Sequence, residues 1–317
     1  MDERLPQGGS GDAPGRPDET VAGVRLTGPD RPLYGRQGLT KGDLARYFER
    51  ASRWILAHVA DRPLAILRCR KNGACFLQRY ATTDLPPVVR RAQVPRGTRT
   101  RAGFCVDSVQ GLVALAQVGA LEVHAWNARV SELGTPDRMI FDLDPSTGVP
   151  WDDTVDGARD LRAVLEARGL RSFAKLTGGR GIHVVVPLSP EHGWAEVLRF
   201  SRTIAEEWAR RRPDRRSVGP SGGKRKGGVV IDPHCNAQGA AVVGAYSPRA
   251  RRGAPVSMPV SWSELSADLA SDAFPVERAL ERIEKLREDP WTGFHRLIQT
   301  LPRDNGPVPR GGGESQA

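Results

Sequence analysis

The sequence lacks the features that mark several classes of protein. Its four cysteines (Cys69, Cys75, Cys105 and Cys235) form no CxxC pair, so the sequence indicates neither a disulfide framework nor a zinc site. No apolar run is long enough to cross a membrane, and the N-terminus lacks the apolar core of a secretory signal. These absences predict a protein of the reduced cytoplasm that makes no membrane contact.

Basic residues are in excess. The 317 residues include 47 Lys and Arg against 37 Asp and Glu, which gives a formal net charge of +10. Such an excess suits a polyanionic partner such as nucleic acid, and would place the protein at the nucleoid. The alternative is the general basic composition of an arginine-rich proteome.

Composition also divides the chain. Residues 1–20 are rich in Gly, Pro, Asp and Arg and are predicted to be a disordered tail, and 301–317 are predicted to be a flexible tail. Between them, 21–300 are predicted to fold as one domain with lobes of about 21–120 and 121–300. Within the first lobe, 86–101 are rich in proline and arginine and are interpreted as a loop.

The most informative stretch is the apolar run 138–145, which ends in two acids and a proline. It predicts a buried strand, on which Asp142 and Asp144 point to the same face. Two carboxylates on one face favour a divalent metal between them. The alternative is a strand end whose acids cap the following helix.

A second stretch, 175–187, predicts two strands joined by a glycine turn. Its glycines, Gly178 and Gly179 among them, would let backbone N–H groups converge on an anion. Thr177, Arg180 and His183 could contact the same phosphate. The stretch is neither a P-loop nor a dinucleotide fingerprint, because the GK[ST] ending and the following helix are missing. The alternative is a plain hairpin turn.

A third stretch, 228–233, repeats the pattern of an apolar strand that ends in an acid, Asp232, and a proline. If this strand neighbours the first one, three carboxylates converge and could hold two divalent ions. Before it lies a basic loop with Lys224, Arg225 and Lys226, which suits a nucleic-acid strand or nucleotide phosphates but would look the same as a solvated loop. Beyond it, Arg249 could form a bidentate contact with phosphate.

Two further places carry candidates of lower specificity. Arg68, Arg70, Lys71 and Arg79 surround a short turn with Phe76, a pattern typical of a nucleic-acid surface or of a solvated hairpin. His124 lies on an alternating strand, where an isolated histidine is more often structural than catalytic.

Four motifs in order resemble a known family. They are FDLDP (141–145), TGGRGIH (177–183), VID (230–232) and YSPRAR (246–251), and together they are similar to the polymerase domain of bacterial ligase D, in the archaeo-eukaryotic primase superfamily. The resemblance covers about 21–286. It implies an α+β fold with a primase-like catalytic core: a mixed or antiparallel sheet of RNA-recognition-motif style, flanked by helices and joined to an N-terminal α/β lobe.

The resemblance also implies roles for residues. Asp142, Asp144 and Asp232 would bind two Mn²⁺ or Mg²⁺ ions. The residues implied to hold a nucleoside or deoxynucleoside triphosphate are His124, Thr177, Gly178, Gly179, Arg180, His183, Arg225 and Arg249. Those implied or expected to contact DNA are Arg31, Lys41, Arg68, Arg70, Lys71, Phe76, Arg79, Lys224 and Lys226.

This chain departs from the family pattern in two places. The family usually has Ser and Lys where this sequence has Thr177 and Arg180, which keep the hydroxyl and the charge. Leu67 stands where the family's lysine for a recessed 5′-phosphate is expected, so Arg68, Arg70 or Lys71 would have to replace that lysine.

The implied function is that of a stand-alone, monomeric DNA repair polymerase. It would add nucleotides, preferably ribonucleotides, to a DNA 3′ end and fill short gaps at breaks, with Ku and a separate DNA ligase as partners. Two alternatives are a catalytically idle DNA-end or Ku-binding module and a de novo primase.

Overall fold

A computed structural model describes residues 17–34, 38–69, 74–220 and 227–302. Within these residues the strands are β1 (Glu19–Val21), β2 (Val24–Leu26), β3 (Leu64–Cys69), β4 (Cys75–Gln78), β5 (Arg90–Arg96), β6 (Arg99–Cys105), β7 (Ala120–Trp126), β8 (Arg138–Pro145), β9 (Phe173–Leu176), β10 (Ile182–Pro187), β11 (Arg216–Val218), β12 (Val229–Asp232), β13 (Ala241–Val243) and β14 (Pro259–Val260). The helices are α1 (Lys41–Arg50), α2 (Ser52–Val59), α3 (Val109–Gln117), α4 (Trp151–Glu166), α5 (Trp194–Arg210) and α6 (Val276–Lys285).

The larger sheet has six strands in the order β11-β12-β8-β10-β9-β14. All of its neighbours are antiparallel except β11 and β12, which are parallel. The strand β8, which carries Asp142 and Asp144, therefore lies between β12 and β10 and is central to the sheet. A mostly antiparallel sheet flanked by helices confirms the predicted α+β class.

Helices α4 and α5 cover one face of this sheet. Leu143 points toward α4, where a Cβ added to Gly157 would lie 3.7 Å from its Cδ2 atom. The indole N–H of Trp208 on α5 donates to the Gly157 carbonyl at 2.8 Å, which fixes the two helices to each other. Because side chains alternate along a strand, Asp142 and Asp144 on either side of Leu143 face away from these helices.

The smaller sheet has four antiparallel strands in the order β13-β7-β3-β4. Helix α1 begins with a capping box, in which the Thr40 side chain accepts from the Asp43 backbone N–H and the Asp43 side chain accepts from the Thr40 backbone N–H. The lysine Lys175 of the larger sheet donates to the carbonyl of Val243 on β13 at 3.0 Å. This contact joins the two sheets on the face that carries the acids.

The C-terminal segment covers the remainder of that face. Trp291 and Phe294 pack against Ile140, Phe173 and Val185 in a second apolar cluster. The Trp291 indole also donates to the Ala174 carbonyl at 2.7 Å. The end of β8 with Asp142 and Asp144 opens into a cavity.

One expectation about the first lobe needs correction. Residues 90–105 are not a loop but the hairpin β5–β6, in which Ala92 and Val94 face inward while Gln93 between them and the arginines near the ends of β5 are exposed. The strand pattern of β5 was hidden because Ala92 and Val94 are the two buried residues among its seven, and the others are arginine, glutamine and proline. Strand β1 begins at Glu19, and β7 pairs with β3 in the smaller sheet.

The expectation of no disulfide was also wrong. Cys69 and Cys75 are directly opposite each other on β3 and β4 and form a disulfide. Cysteines with a sequence separation of six do not match the CxxC pattern, and the strand register reveals the pair. None of the helices in the described ranges is long and apolar enough to cross a membrane.

Candidate active site

One row of side chains crosses the larger sheet. Asp142 on β8 pairs directly with His183 on β10 and with Asp232 on β12, and His183 pairs in turn with Lys175 on β9. Directly opposite residues of antiparallel strands share a face, and Asp144 follows Asp142 by two positions. All three predicted acids are therefore on the same face of the sheet.

Two of the acids are held by histidines. The Nε2 atom of His183 lies 3.1 Å from Asp142 Oδ1. Asp232 Oδ1 accepts from the His234 backbone N–H at 2.9 Å and lies 3.0 Å from its ring Nδ1. The two carboxylates therefore contact different histidines. Within the described ranges, no three His, Cys, Asp or Glu side chains are grouped closely enough to hold a metal ion.

Burial and charge set the ionisation of this row. Burial opposes ionisation of Asp142, but His183, Lys175 and Arg249 outweigh burial and lower the pKa of its carboxyl group. Burial, reinforced by the charge of Lys175, lowers the pKa of His183 to about 4. At neutral pH the row therefore contains an ionised acid beside a neutral imidazole.

A cavity of about 250 Å³ opens above the row. The predicted residues that line it are His124, Asp142, Asp144, Thr177, Gly179, Arg180, His183 and Arg249. Sequence reasoning did not single out four others: Ala241, Val242 and Val243 on β13, and Arg251. Three arginines (Arg180, Arg249 and Arg251) thus face the same space as two aspartates, an arrangement that suits a polyphosphate with a divalent cation.

The glycine turn differs from the predicted anion-binding nest. The N–H groups of Gly179 and Gly181 both donate to the Thr177 hydroxyl oxygen at 3.2 Å. The N–H of Gly178 donates to the Ser271 carbonyl at 3.1 Å. The amides expected to bind phosphate therefore have acceptors inside the protein, and the cavity receives its positive charge from arginine side chains.

Close packing explains why glycine is needed in this turn. Gly178 has φ of +66°, and an added Cβ would lie 2.9 Å from the Arg249 side chain and 3.0 Å from the Val256 backbone. A Cβ at Gly181 would lie 2.3 Å from the Leu143 carbonyl oxygen and 2.8 Å from Asp144 Oδ1. The turn is consequently pressed against β8 at the acids and against Arg249.

Glu122 is a buried acid beside the cavity whose role the sequence did not reveal. Its carboxylate lies 2.8 Å from His124 Nε2 and 3.0 Å from Arg249 Nε, and it accepts from the Ala250 N–H at 2.8 Å. These partners outweigh the effect of burial and lower the pKa of Glu122 to about 2. The only signal in the sequence was a charged residue on the same strand face as His124.

Lys175 is a second such residue. It is only 2% exposed, and its ammonium group donates to the Val243 carbonyl at 3.0 Å and to the Ser257 hydroxyl at 2.6 Å. Burial lowers the pKa of its ammonium group well below the usual value. A lysine inside an apolar strand was a visible signal, but the sequence does not show what it contacts.

The predicted DNA-contacting residues that the structure describes belong to the first lobe and do not line this cavity. Lys41 is 4% exposed, and its ammonium group donates to the Thr27 carbonyl, with Arg31 nearby. Arg68 is paired with Asp84 at 2.9 Å and lies over the Phe76 ring. The remaining candidate described by the structure is Arg79, which is exposed. Arg70, Lys71, Lys224, Arg225 and Lys226 lie outside the described residues.

The fold is that of a primase-polymerase domain. A family model described as the primase-polymerase domain of LigD matches residues 40–291, and the chain belongs to this family. The predicted family resemblance and primase-like fold are therefore confirmed.

Individual relatives agree with this assignment. The multifunctional non-homologous end joining protein LigD of Pseudomonas aeruginosa is 32% identical over 89% of this chain, and that of Mycolicibacterium smegmatis is 26% identical over 83%. The polymerase domain of Mycobacterium tuberculosis ligase D, solved in complex with DNA, superposes with a TM-score of 0.79 at 27% identity. That match covers 86% of this chain and 98% of the solved one. The chain spans about a third of the length of these two relatives (34% and 35%).

Proposed function

We propose that this chain is a nucleotidyltransferase that adds nucleotides to the 3′ end of a DNA primer. The observation that carries the proposal is the strand register, which puts Asp142, Asp144 and Asp232 on one face of the sheet. Arginines that line the same cavity as Asp142 and Asp144 supply the charge that a triphosphate requires. The pairing of a carboxylate cluster with a polyphosphate site supports transfer of a nucleotidyl group.

The donor set fits divalent cations. Asp142, Asp144 and Asp232 would hold two Mn²⁺ or Mg²⁺ ions, because carboxylate oxygens are the hard ligands these ions prefer. When bound, such ions activate a hydroxyl nucleophile and neutralise charge on a triphosphate.

The chain's own residues would bind and orient the nucleotide. Arg180, Arg249 and Arg251 would bind the triphosphate through charge-assisted hydrogen bonds, which are about twice as strong as neutral ones. His183 would keep the Asp142 carboxylate in place through the 3.1 Å contact. Thr177 would fix the glycine turn, because its hydroxyl accepts from two of the turn amides. His124 on β7 would line the nucleotide site.

The names of the relatives suggest the biological setting. They are non-homologous end joining proteins, and the solved neighbour is bound to DNA. We therefore propose filling of short gaps at DNA breaks, with a preference for ribonucleotides, by a monomer that works with Ku and a DNA ligase. The net charge of +10 supports a nucleic-acid partner.

Primer extension tests the proposal directly. The substrates are gapped duplexes with and without a 5′-phosphate, each assayed with ribo- and deoxynucleotides in Mn²⁺ or Mg²⁺. Extension by the wild-type chain should be abolished by Asp142→Ala and by Asp232→Ala, while DNA binding in a gel-shift assay persists. Asp156→Ala is the matched control, because Asp156 is exposed on α4, on the other side of the sheet.

Each outcome has a clear meaning. Extension by Asp142→Ala or Asp232→Ala at the wild-type rate would overturn the assignment of the acids. DNA binding by the wild-type chain without extension under any condition would favour an idle DNA-end-binding module. Synthesis of dinucleotides on an unprimed single strand would instead indicate a primase.

A further inference from the structure

The carboxylate of Glu122 connects parts of the nucleotide cavity that are distant in sequence. Its side chain is 6% exposed and comes from β7 of the smaller sheet. It contacts His124 two residues along the same strand, and both the guanidinium of Arg249 and the N–H of Ala250, more than 120 residues later. A single buried acid thus reaches two residues whose side chains line the cavity.

The connection continues into the glycine turn. Arg249 Nη1 donates to the Thr177 carbonyl at 2.7 Å, while its Nε lies 3.0 Å from Glu122. The guanidinium is therefore held on two edges, by β7 on one side and by the start of the turn on the other. An arginine side chain that is free to sample rotamers loses conformational entropy when a ligand orders it. Holding it in advance removes much of that cost.

We propose that Glu122 is a positioning residue that fixes Arg249 and His124 for nucleotide binding before the nucleotide arrives. The inference rests on the proposed nucleotide site but adds a residue to it. Glu122 does not line the cavity, so it acts through the two side chains that it holds. The low pKa of its carboxyl group keeps the acid charged at any pH at which the protein works.

The competing explanation is that Glu122 only stabilises the fold by tying β7 to residue 250. The two explanations differ in what they predict for affinity. Loss of a purely structural contact lowers the melting temperature but leaves the nucleotide dissociation constant of the folded protein unchanged. Loss of a positioning contact weakens nucleotide binding by the folded protein.

The test compares two substitutions that each remove the charge of an arginine-paired carboxylate, one buried (Glu122) and one half-buried (Asp137). Glu122→Gln keeps the size of the side chain but removes the charge that pairs with Arg249. Asp137→Asn is the matched control, because Asp137 accepts from both terminal nitrogens of Arg62 at 2.6 Å and does not line the cavity. Both variants should melt below the wild type.

Only Glu122→Gln should change nucleotide affinity. Titration with a non-hydrolysable ribonucleoside triphosphate should give a dissociation constant about tenfold higher or more, as expected for a lost charge-assisted contact. In primer extension, KM for the nucleotide should rise more than kcat falls. In an Arg249→Met background, Glu122→Gln should raise the nucleotide dissociation constant by a clearly smaller factor, because Glu122 has already lost its main partner.

Several results would overturn the inference. One is a Glu122→Gln dissociation constant within about twofold of the wild type, which is less than a typical hydrogen bond contributes. Another is the same loss of affinity in Asp137→Asn. If Glu122→Gln does not fold, the same titration is made with Glu122→Asp, which keeps the charge but moves it away from Arg249 by one methylene group. An unchanged nucleotide dissociation constant in Glu122→Asp would then refute the positioning role. A wild-type chain that binds no nucleotide would instead refute the proposed function itself.

Discussion

Replacing Gly181 with alanine is expected to damage the site more than the fold. The added Cβ would lie 2.3 Å from the Leu143 carbonyl oxygen, whereas real Cβ atoms essentially never approach closer than 3.0 Å. The nearest atom is backbone of the central strand β8, so the strand itself has to move. Overpacking of this kind costs about 1–3 kcal/mol.

The displacement would fall on Asp144. Its Oδ1 atom would lie 2.8 Å from the new Cβ, so both its carboxylate and its backbone are pushed out of place. A misplacement of up to roughly 1 Å at a reacting centre can reduce the rate about 100-fold. We therefore expect extension by Gly181→Ala to fall by about that factor, with a loss in melting temperature of about 2–4 °C per kcal/mol.

The matched control is Gly134→Ala. Nothing lies within 4 Å of a Cβ built at Gly134, and its φ is not positive, so the substitution should leave both melting temperature and extension unchanged. Melting is followed by circular dichroism, and extension is measured under single-turnover conditions. If Gly181→Ala extends primers as fast as Gly134→Ala, the turn is not pressed against β8 in solution and this reasoning fails.

Three further predictions concern stability and covalent structure. Thr177→Val should lower the free energy of unfolding by about 2–4 kcal/mol, because two buried amides of the turn lose their acceptor, while Thr177→Ser should be close to neutral in urea unfolding. The pKa of Glu122 falls from an ordinary 4.5 to about 2, so its stabilisation is complete above pH 4.5 and is lost as the pH falls toward 2. Acid unfolding of Glu122→Gln should therefore have a shallower pH dependence in that window, and a slope equal to that of the wild type would contradict the ion pair. Finally, the Cys69–Cys75 disulfide predicts two titratable thiols in the denatured, unreduced chain and four after reduction; four without reductant would show that the bond is absent.

The central strand could be predicted from sequence because its signal is local. An apolar run with two acids two positions apart specifies both the strand β8 and the shared face of Asp142 and Asp144. The contribution of Asp232 could only be stated conditionally, since strands about 90 residues apart carry no local sign of their register. The observed pairing of Asp232 with Asp142 supplies that condition.

Other features were missed because their causes are not local. The hydroxyl of Thr177 accepts hydrogen bonds from two turn amides that were expected to bind phosphate. The spacing of the glycines does not show whether such amides bind a phosphate or an acceptor inside the protein. Glu122 on β7 pairs with Arg249, which lies between β13 and β14 and far from Glu122 in the sequence. Each of these features depends on which surfaces meet in three dimensions.

The row across the larger sheet explains how like charges can share one face. Directly opposite acids on neighbouring strands repel each other, so Asp142 and Asp232 would destabilise the sheet on their own. Each of them has a histidine donor, and Lys175 adds a buried positive charge one strand beyond His183. The neighbours His183 and Lys175 lie beside Asp142 along the row, while the Asp142 carboxylate lines the cavity. A binding site for a cation beside a polyphosphate requires this division, because groups that neutralised the acids from the front would occupy the place of the ligand.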